Sequence, residues 1–270
     1  MSEQSMSMTA RAPKIGKEAL IAANQVLRDY KAGKIQLERR IVESEKWWKL
    51  RHWEVLEAQG KAAGNPADIQ PKSAWLFNVL MGKQADAIEA YPEPLILPRE
   101  KLDKGESEVL TSVIPVILQQ NDFEETYSKA SWTKNKSGTA VYGVFWDPSK
   151  LNGLGDIAVR SVDVLNLFWQ PGVTDIQQSR NFFHCELMDT VELEERYPHL
   201  QGQLKPSEAI PVAEYIYDDH VKKDGKTLVI DWFYKRWQDG RTVLHYCKYV
   251  GTHVLFASEN DPEMEETGWY

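Results

Sequence analysis

Two cysteines in 270 residues, Cys185 and Cys247, are too few for a disulfide framework. They fit synthesis in a reducing, intracellular compartment, where free thiols behave as small buried apolar side chains. Long hydrophobic runs are missing too. No stretch approaches the ~20 apolar residues that a membrane-spanning helix needs. The opening MSEQSMSMTARAPK lacks the apolar segment of a secretory signal. Neither CxxC nor HExxH occurs, which removes the familiar zinc spacings, and the absence of GxSxG removes the common serine-nucleophile turn.

One glycine-paired stretch, LNGLGDIAVRSVDVLNLFWQPGVTDIQQSRNFFH (residues 151–184), invites comparison with a phosphate loop and fails it. A Walker-type loop needs Lys and Ser or Thr after its second glycine, at the mouth of a helix. Here Gly155 is followed by Asp156, which repels phosphate, and by the strand-like IAVR. A dinucleotide fingerprint fails as well, because neither a third glycine nor a helix follows. Gly153 and Gly155 therefore read as turn residues with positive φ.

Ligand clusters are sparse. Among the six histidines, His184 adjoins Cys185, and neighbours on a strand point to opposite faces. His245 and Cys247 share a face but have no further ligands at zinc spacing. No metal and no cofactor are expected. The carboxylate pairs, among them Glu124–Glu125 and Asp218–Asp219, read as solvated loop or helix surface. An alternative remains in which Asp218 and Asp219 hold Mg²⁺ in a nucleic-acid-processing enzyme. A second alternative uses the ten tryptophans as a glycan-binding surface. The aromatic strands lie in the acidic part of the chain, however, where a stacking platform for nucleic acid has no basic groove. Core and subunit packing is the preferred use of these rings.

Charge is present but unevenly placed. The net charge is −8, yet residues 11–53 carry 11 Lys or Arg against 5 Asp or Glu. An acidic body with a basic N-terminal arm argues against wholesale coating of nucleic acid. Within the arm, WWKLRHW puts aromatics on more than one helix face. Trp47, Trp48 and Trp53, with Arg39, Arg40, Lys46, Lys49 and Arg51, are the candidate contacts to a subunit, a partner or DNA.

The periodicity predicts a helix over 17–31 broken by Gly33, a longer one over 35–59, a Gly/Ala/Pro linker, and a third helix over 72–90. YPEPLILP (91–98) must be extended, since proline removes donors and biases its predecessors. Two more helices follow, with Pro115 kinking the first or near its start, Asn121 and Asp122 as caps, and Gly138 as a stop. Beyond Gly138 the pattern turns to strands, a short helix at TVELEERYP, and hairpins around Asp239–Gly240 and Gly251. The fold class is α+β, with helices first and mostly antiparallel strands after. Residues 1–16 read as a flexible tail, 17–137 as a helical region and 138–270 as a β-rich region.

The order of segments resembles the N-terminal, wing-forming half of tailed-bacteriophage portal proteins, the head–tail connectors. AWLFNVLMGKQADAI matches a W/A-x-x-N-x-[VL] helix, and AYPEPLILPRE matches a proline-bearing crossing segment. VLTSVIPVILQQNDFEETYSKASWTKNKSGTAVYGVFWD matches a helix with an Asn-Asp ending that leads into the β-rich wing. The stretch from Gly153 to Pro198 and the hairpins after Thr227 follow in the same order, so the resemblance covers about residues 35–270. It implies a non-enzymatic structural protein of the virion, assembled in the host cytoplasm. Such proteins form a homo-oligomeric ring, commonly a dodecamer, at one capsid vertex. Double-stranded DNA is packaged and ejected through the ring. The implied partners are other copies of the chain, the terminase motor, scaffold or coat protein and head-completion proteins, with no membrane. Family chains continue into stem, clip and crown, so a chain ending at Tyr270 looks like a truncated wing portion.

Overall fold

The computed structural model describes residues 15–58, 60, 71–204, 225–238 and 240–261. Residues 1–14 of the expected 1–16 tail, most of the linker before Pro71 and the Asp218–Asp219–His220 segment lie outside these residues. Helices come first and antiparallel strands after, so the fold is α+β. The chain divides into two units, one formed by 1–36 with 165–270 and the other by 37–164. This replaces the expected sequential division at residue 138. The reason is a long-range contact that local pattern does not encode: the start of the first helix packs on the C-terminal sheet. Ile15 is already part of that core, which ends the expected tail before residue 15.

Helix α1 (Lys17–Trp48) runs unbroken through Gly33, against the expectation of two helices. Leu20, Ala23 and Leu27 recur at helical spacing and are almost wholly buried. A glycine inside a helix costs about 1 kcal/mol relative to alanine. Gly33 is retained for space: a Cβ there would lie 2.3 Å from Cγ of Pro171. Gly33→Ala is therefore expected to lower stability by about 1–2 kcal/mol, because overpacking outweighs the helix-propensity gain. Gly82→Ala, at a helical site with nothing within 4 Å, should raise it by up to about 1 kcal/mol. Urea titration of both variants checks the pair. The actual break comes at Leu50, which takes a left-handed φ of 60°. The Arg51 amide there donates back to the Lys46 carbonyl at 2.9 Å, and helix α2 (His52–Ala58) begins.

In the first unit, strands β3 (Leu167–Trp169), β4 (Asn181–Asp189), β5 (Lys226–Gln238), β6 (Arg241–Val250) and β7 (His253–Ala257) form an antiparallel sheet in sequence order. Period-two alternation gives it two faces. Phe183 and Cys185, Ile230 and Trp232, and Cys247 and Tyr249 point to the first half of α1. Behind them, Val229 and Val250 are covered by Leu193 of α6 (Thr190–Arg196) and by Leu200 and Leu204. Asp189 caps α6, its carboxylate accepting from the Val191 amide at 2.9 Å.

The second unit contains the rest of α1, α2, α3 (Trp75–Glu89), α4 (Lys104–Gln120), α5 (Phe123–Ser137) and the hairpin β1 (Val141–Asp147) with β2 (Asp156–Val162). Pro115 lies inside α4, and Gly138 ends α5 in the left-handed conformation, its amide donating to the Lys134 carbonyl. Residues 91–98, expected to be extended, form neither helix nor paired strand and are tied to α4 where the Thr111 hydroxyl meets the backbone of Ile96. Gly153 and Gly155 have φ of 92° and 82° in the β1–β2 connection. A Cβ on Gly155 would sit 2.5 Å from the Trp146 ring.

The expected Asn121–Asp122 cap is used differently. Asp122 precedes α5 with a left-handed φ of 47° and makes no side-chain cap. The Asn121 amide instead joins the helix elbow to the hairpin. It donates to the carbonyls of Ile117 at 2.7 Å and Ile157 at 3.0 Å. Its oxygen accepts from the Val159 amide and the Lys150 ammonium. Asn121→Ala strands two backbone groups and should cost about 1–3 kcal/mol in unfolding experiments.

Candidate interaction surfaces

Apolar side chains are distributed in opposite ways in the two units. Among the described residues, 22 of 27 buried hydrophobics belong to the first unit, whereas 18 of 23 exposed large hydrophobics belong to the second. Scattered apolar exposure is ordinary, but contiguous apolar faces of more than a few hundred Å² mark interaction sites. Helix α4 is the extreme case. It spans 17 residues, and its single buried residue is Ser107. A helix of this length draws most of its stability from packing an apolar face, yet Val109, Val113 and Val116 are 61%, 44% and 50% exposed along one stripe. Strand β1 repeats the pattern at period two, with Tyr142, Val144 and Trp146 on one exposed face. Sequence reading missed both surfaces. The available signals were the uncharged run Val109–Asn121 and the apolar alternation in YGVFW.

The contacts expected in the basic arm are divided by the structure. Trp48 is used internally, meeting the Trp132 ring edge-on at 5.4 Å and stacking towards Phe77. Trp47 packs on His52, and the Trp53 indole donates to the Pro71 carbonyl. Arg51 makes a bidentate pair with Glu54, with Lys46 3.6 Å from the same carboxylate. Arg51 and Lys46 hold the Glu54 carboxyl below its usual range, the Arg51 hydrogen bond being the largest contribution. Lys49 and Lys136 both pair with Glu45. Three of the five proposed cations are thus engaged within the unit. Arg39 and Arg40 are exposed on α1.

The sheet carries a polar row on the face away from α1. His184, Asp231 and Lys248 are adjacent in register across β4, β5 and β6. One Asp231 oxygen accepts from the Tyr246 hydroxyl at 2.5 Å and lies 3.4 Å from Lys248, and the other is 3.2 Å from Nδ1 of His184. Burial pushes the Asp231 carboxyl upward, but the His184 hydrogen bond, the Lys248 charge and the Tyr246 hydroxyl outweigh it and hold it below the ordinary aspartate range. Burial first, then the Asp231 charge, raises the Tyr246 phenol. Beside this row, the rings of Phe182, Phe233, Tyr246 and Phe256 follow one another at 6.1, 4.9 and 5.9 Å. The row is an internally satisfied polar network next to an aromatic ladder.

Both cysteines are buried and free, and burial pushes their thiols up to about 12, which makes them poor nucleophiles. As expected, Cys185 points into the core while His184 faces Asp231. Among the described residues no group of three or more His, Cys, Asp or Glu is arranged to hold a metal, and no helix is long and apolar enough to cross a membrane. A cavity of about 410 Å³ lies beside Tyr91, Asp122, Glu124 and Tyr127. Its wall carries carboxylates and phenols, and Glu125 is already paired with Lys129. No protein-family model and no curated protein matches the chain.

Proposed function

We propose that the chain is a structural assembly subunit that works by self-association, and that it is the wing portion of a portal-type ring at a phage capsid vertex. The observation that carries the assembly reading is the second unit's apolar surface. A unit whose described residues include five buried hydrophobics and eighteen exposed large ones reaches ordinary burial only by packing against something else. The portal assignment adds the collinear resemblance of segments 35–270, including the proline-bearing crossing before α4 and the helix elbow that leads to a β hairpin. In this reading DNA passes through the ring, and packaging energy comes from a separate motor.

Sedimentation velocity of the full chain, with negative-stain imaging of any large species, tests the proposal. A closed ring with a central opening is the expected result. A chain that stays monomeric over a wide concentration range overturns it.

A further inference from the structure

We infer that Asn152 is a modification site built into the β1–β2 connection. Its side-chain amide is lost through attack by the backbone nitrogen of Gly153, and the turn gains a carboxylate without any enzyme.

Three observations lead to it. First, Asn152–Gly153 is the one Asn-Gly pair in the chain. A backbone nitrogen is ordinarily shielded by its own residue's Cβ, which glycine lacks. Nothing lies within 4 Å of the place a Gly153 Cβ would take. Second, the amide is accessible and unrestrained. Asn152 and Gly153 are exposed, between Leu151 and Leu154 at 55% and 82% exposure. The Asn152 side chain has no hydrogen-bond partner among the described residues. Other asparagines are held. Asn24 lies between the Gly251 carbonyl and the Tyr249 hydroxyl, and Asn181 between Tyr30 and the Trp232 indole.

Third, the backbone has room to turn. Asn152 is left-handed, with φ 57° and ψ 35°, and Gly153 has φ 92°. Asn152 ψ and Gly153 φ flank a single peptide plane, and glycine accepts either sign of φ. That plane can rotate inside a fixed frame. The Gly155 amide donates to the Lys150 carbonyl at 3.0 Å, and the Lys150 ammonium is anchored on Asn121 and on the Ile157 carbonyl.

The chemistry needs only water. The Gly153 nitrogen bonds to Cγ of Asn152, the Cγ–Nδ2 bond breaks, and the amide proton leaves with the ammonia. Water then opens the five-membered imide. Opening at the side-chain carbonyl leaves aspartate. Opening at the main-chain carbonyl leaves isoaspartate, whose backbone runs through Cβ and is one atom longer. Nothing is oxidised or reduced. Either product is an anion. Asp147 and Asp156 already face each other where β1 and β2 enter this connection, so the new charge joins two of the same sign.

The test follows the full chain through incubation at neutral and mildly alkaline pH. Trypsin cuts after Lys150 and Arg160, which isolates the pair in the peptide Leu151–Arg160. Mass spectrometry reads the gain from amide to acid, and labelling by an isoaspartyl methyltransferase reads the rearranged backbone. Conversion of this peptide is expected to rise with time and alkalinity. Asn78, exposed on α3 but followed by the β-branched Val79, is expected to keep its amide. Gly153→Ala should slow conversion on the order of tenfold, because its Cβ shields the nitrogen and restricts φ. Asn152→Gln, which would have to close a larger ring, should show none over the same period. It carries the comparison if Gly153→Ala fails to fold, judged by circular dichroism. An amide retained at Asn152 in the folded chain overturns the inference, whatever the urea-unfolded chain does. Equal conversion at Asn78, or an unchanged rate in either variant, overturns it too, since the turn is then not what directs the reaction.

Discussion

Asp231→Ala should destabilise the protein by about 2–4 kcal/mol, in the range for breaking a buried, hydrogen-bonded charge group. Asp231 is buried, 8% exposed, and its carboxylate is shared by three partners from neighbouring strands. Its removal leaves the Tyr246 hydroxyl without its acceptor and the Lys248 ammonium without its counter-ion. Asp231→Asn keeps an acceptor and should lose less. Denaturant unfolding followed by tryptophan fluorescence suits the measurement, because Trp232 neighbours Asp231 on β5.

The same residue fixes a pH signature. Its carboxyl is held below the ordinary range in the folded state, so the unfolded chain takes up a proton first as pH falls. The stabilisation is complete above the unfolded aspartate value of about 3.9 and drains away as pH drops through the lower folded value. The gap between the native protein and Asp231→Asn should therefore be widest near neutrality and shrink below about pH 4. A gap that stays constant from pH 7 to pH 3 contradicts the network.

Much of the fold could be read from local pattern because the pattern there is local physics. The strands β4 to β6 are rich in β-branched and aromatic residues, Gly138 stands where a helix must turn left-handed, and the β1–β2 connection needs positive φ at Gly153 and Gly155. The failures have a common cause. Gly33 looks like a helix breaker until Pro171, distant in sequence, is found occupying the place of its Cβ. Asn121 looks like a cap until Ile157 and Val159 are brought beside it. The polar row was hidden for the same reason, since His184, Asp231 and Lys248 become neighbours only through strand register. The ion pairs of the basic arm were hidden too, because a count of charges does not show that Glu45 and Glu54 engage Lys46, Lys49 and Arg51.

The remaining large effect separates core from interface. Phe183→Ala should cost about 3–5 kcal/mol, the range for deleting a fully buried aromatic ring. Phe183 has 0% exposure and lies between Tyr30 of α1, whose ring meets it edge-on at 6.0 Å, and Trp232 of β5, parallel at 6.1 Å. The cavity opens between a helix and a sheet that are each held by several other residues, so the site cannot collapse to fill it. Val113→Ala removes apolar atoms of similar chemistry from α4, yet they are already half in water. Its cost to the folded monomer should be within about 0.5 kcal/mol, as for ordinary surface positions. The two substitutions should therefore act on different observables. Phe183→Ala lowers the denaturation midpoint of the monomer, whereas Val113→Ala leaves that midpoint in place and shifts the concentration at which copies associate. Equal losses of monomer stability from both would mean that the α4 stripe is core rather than contact surface.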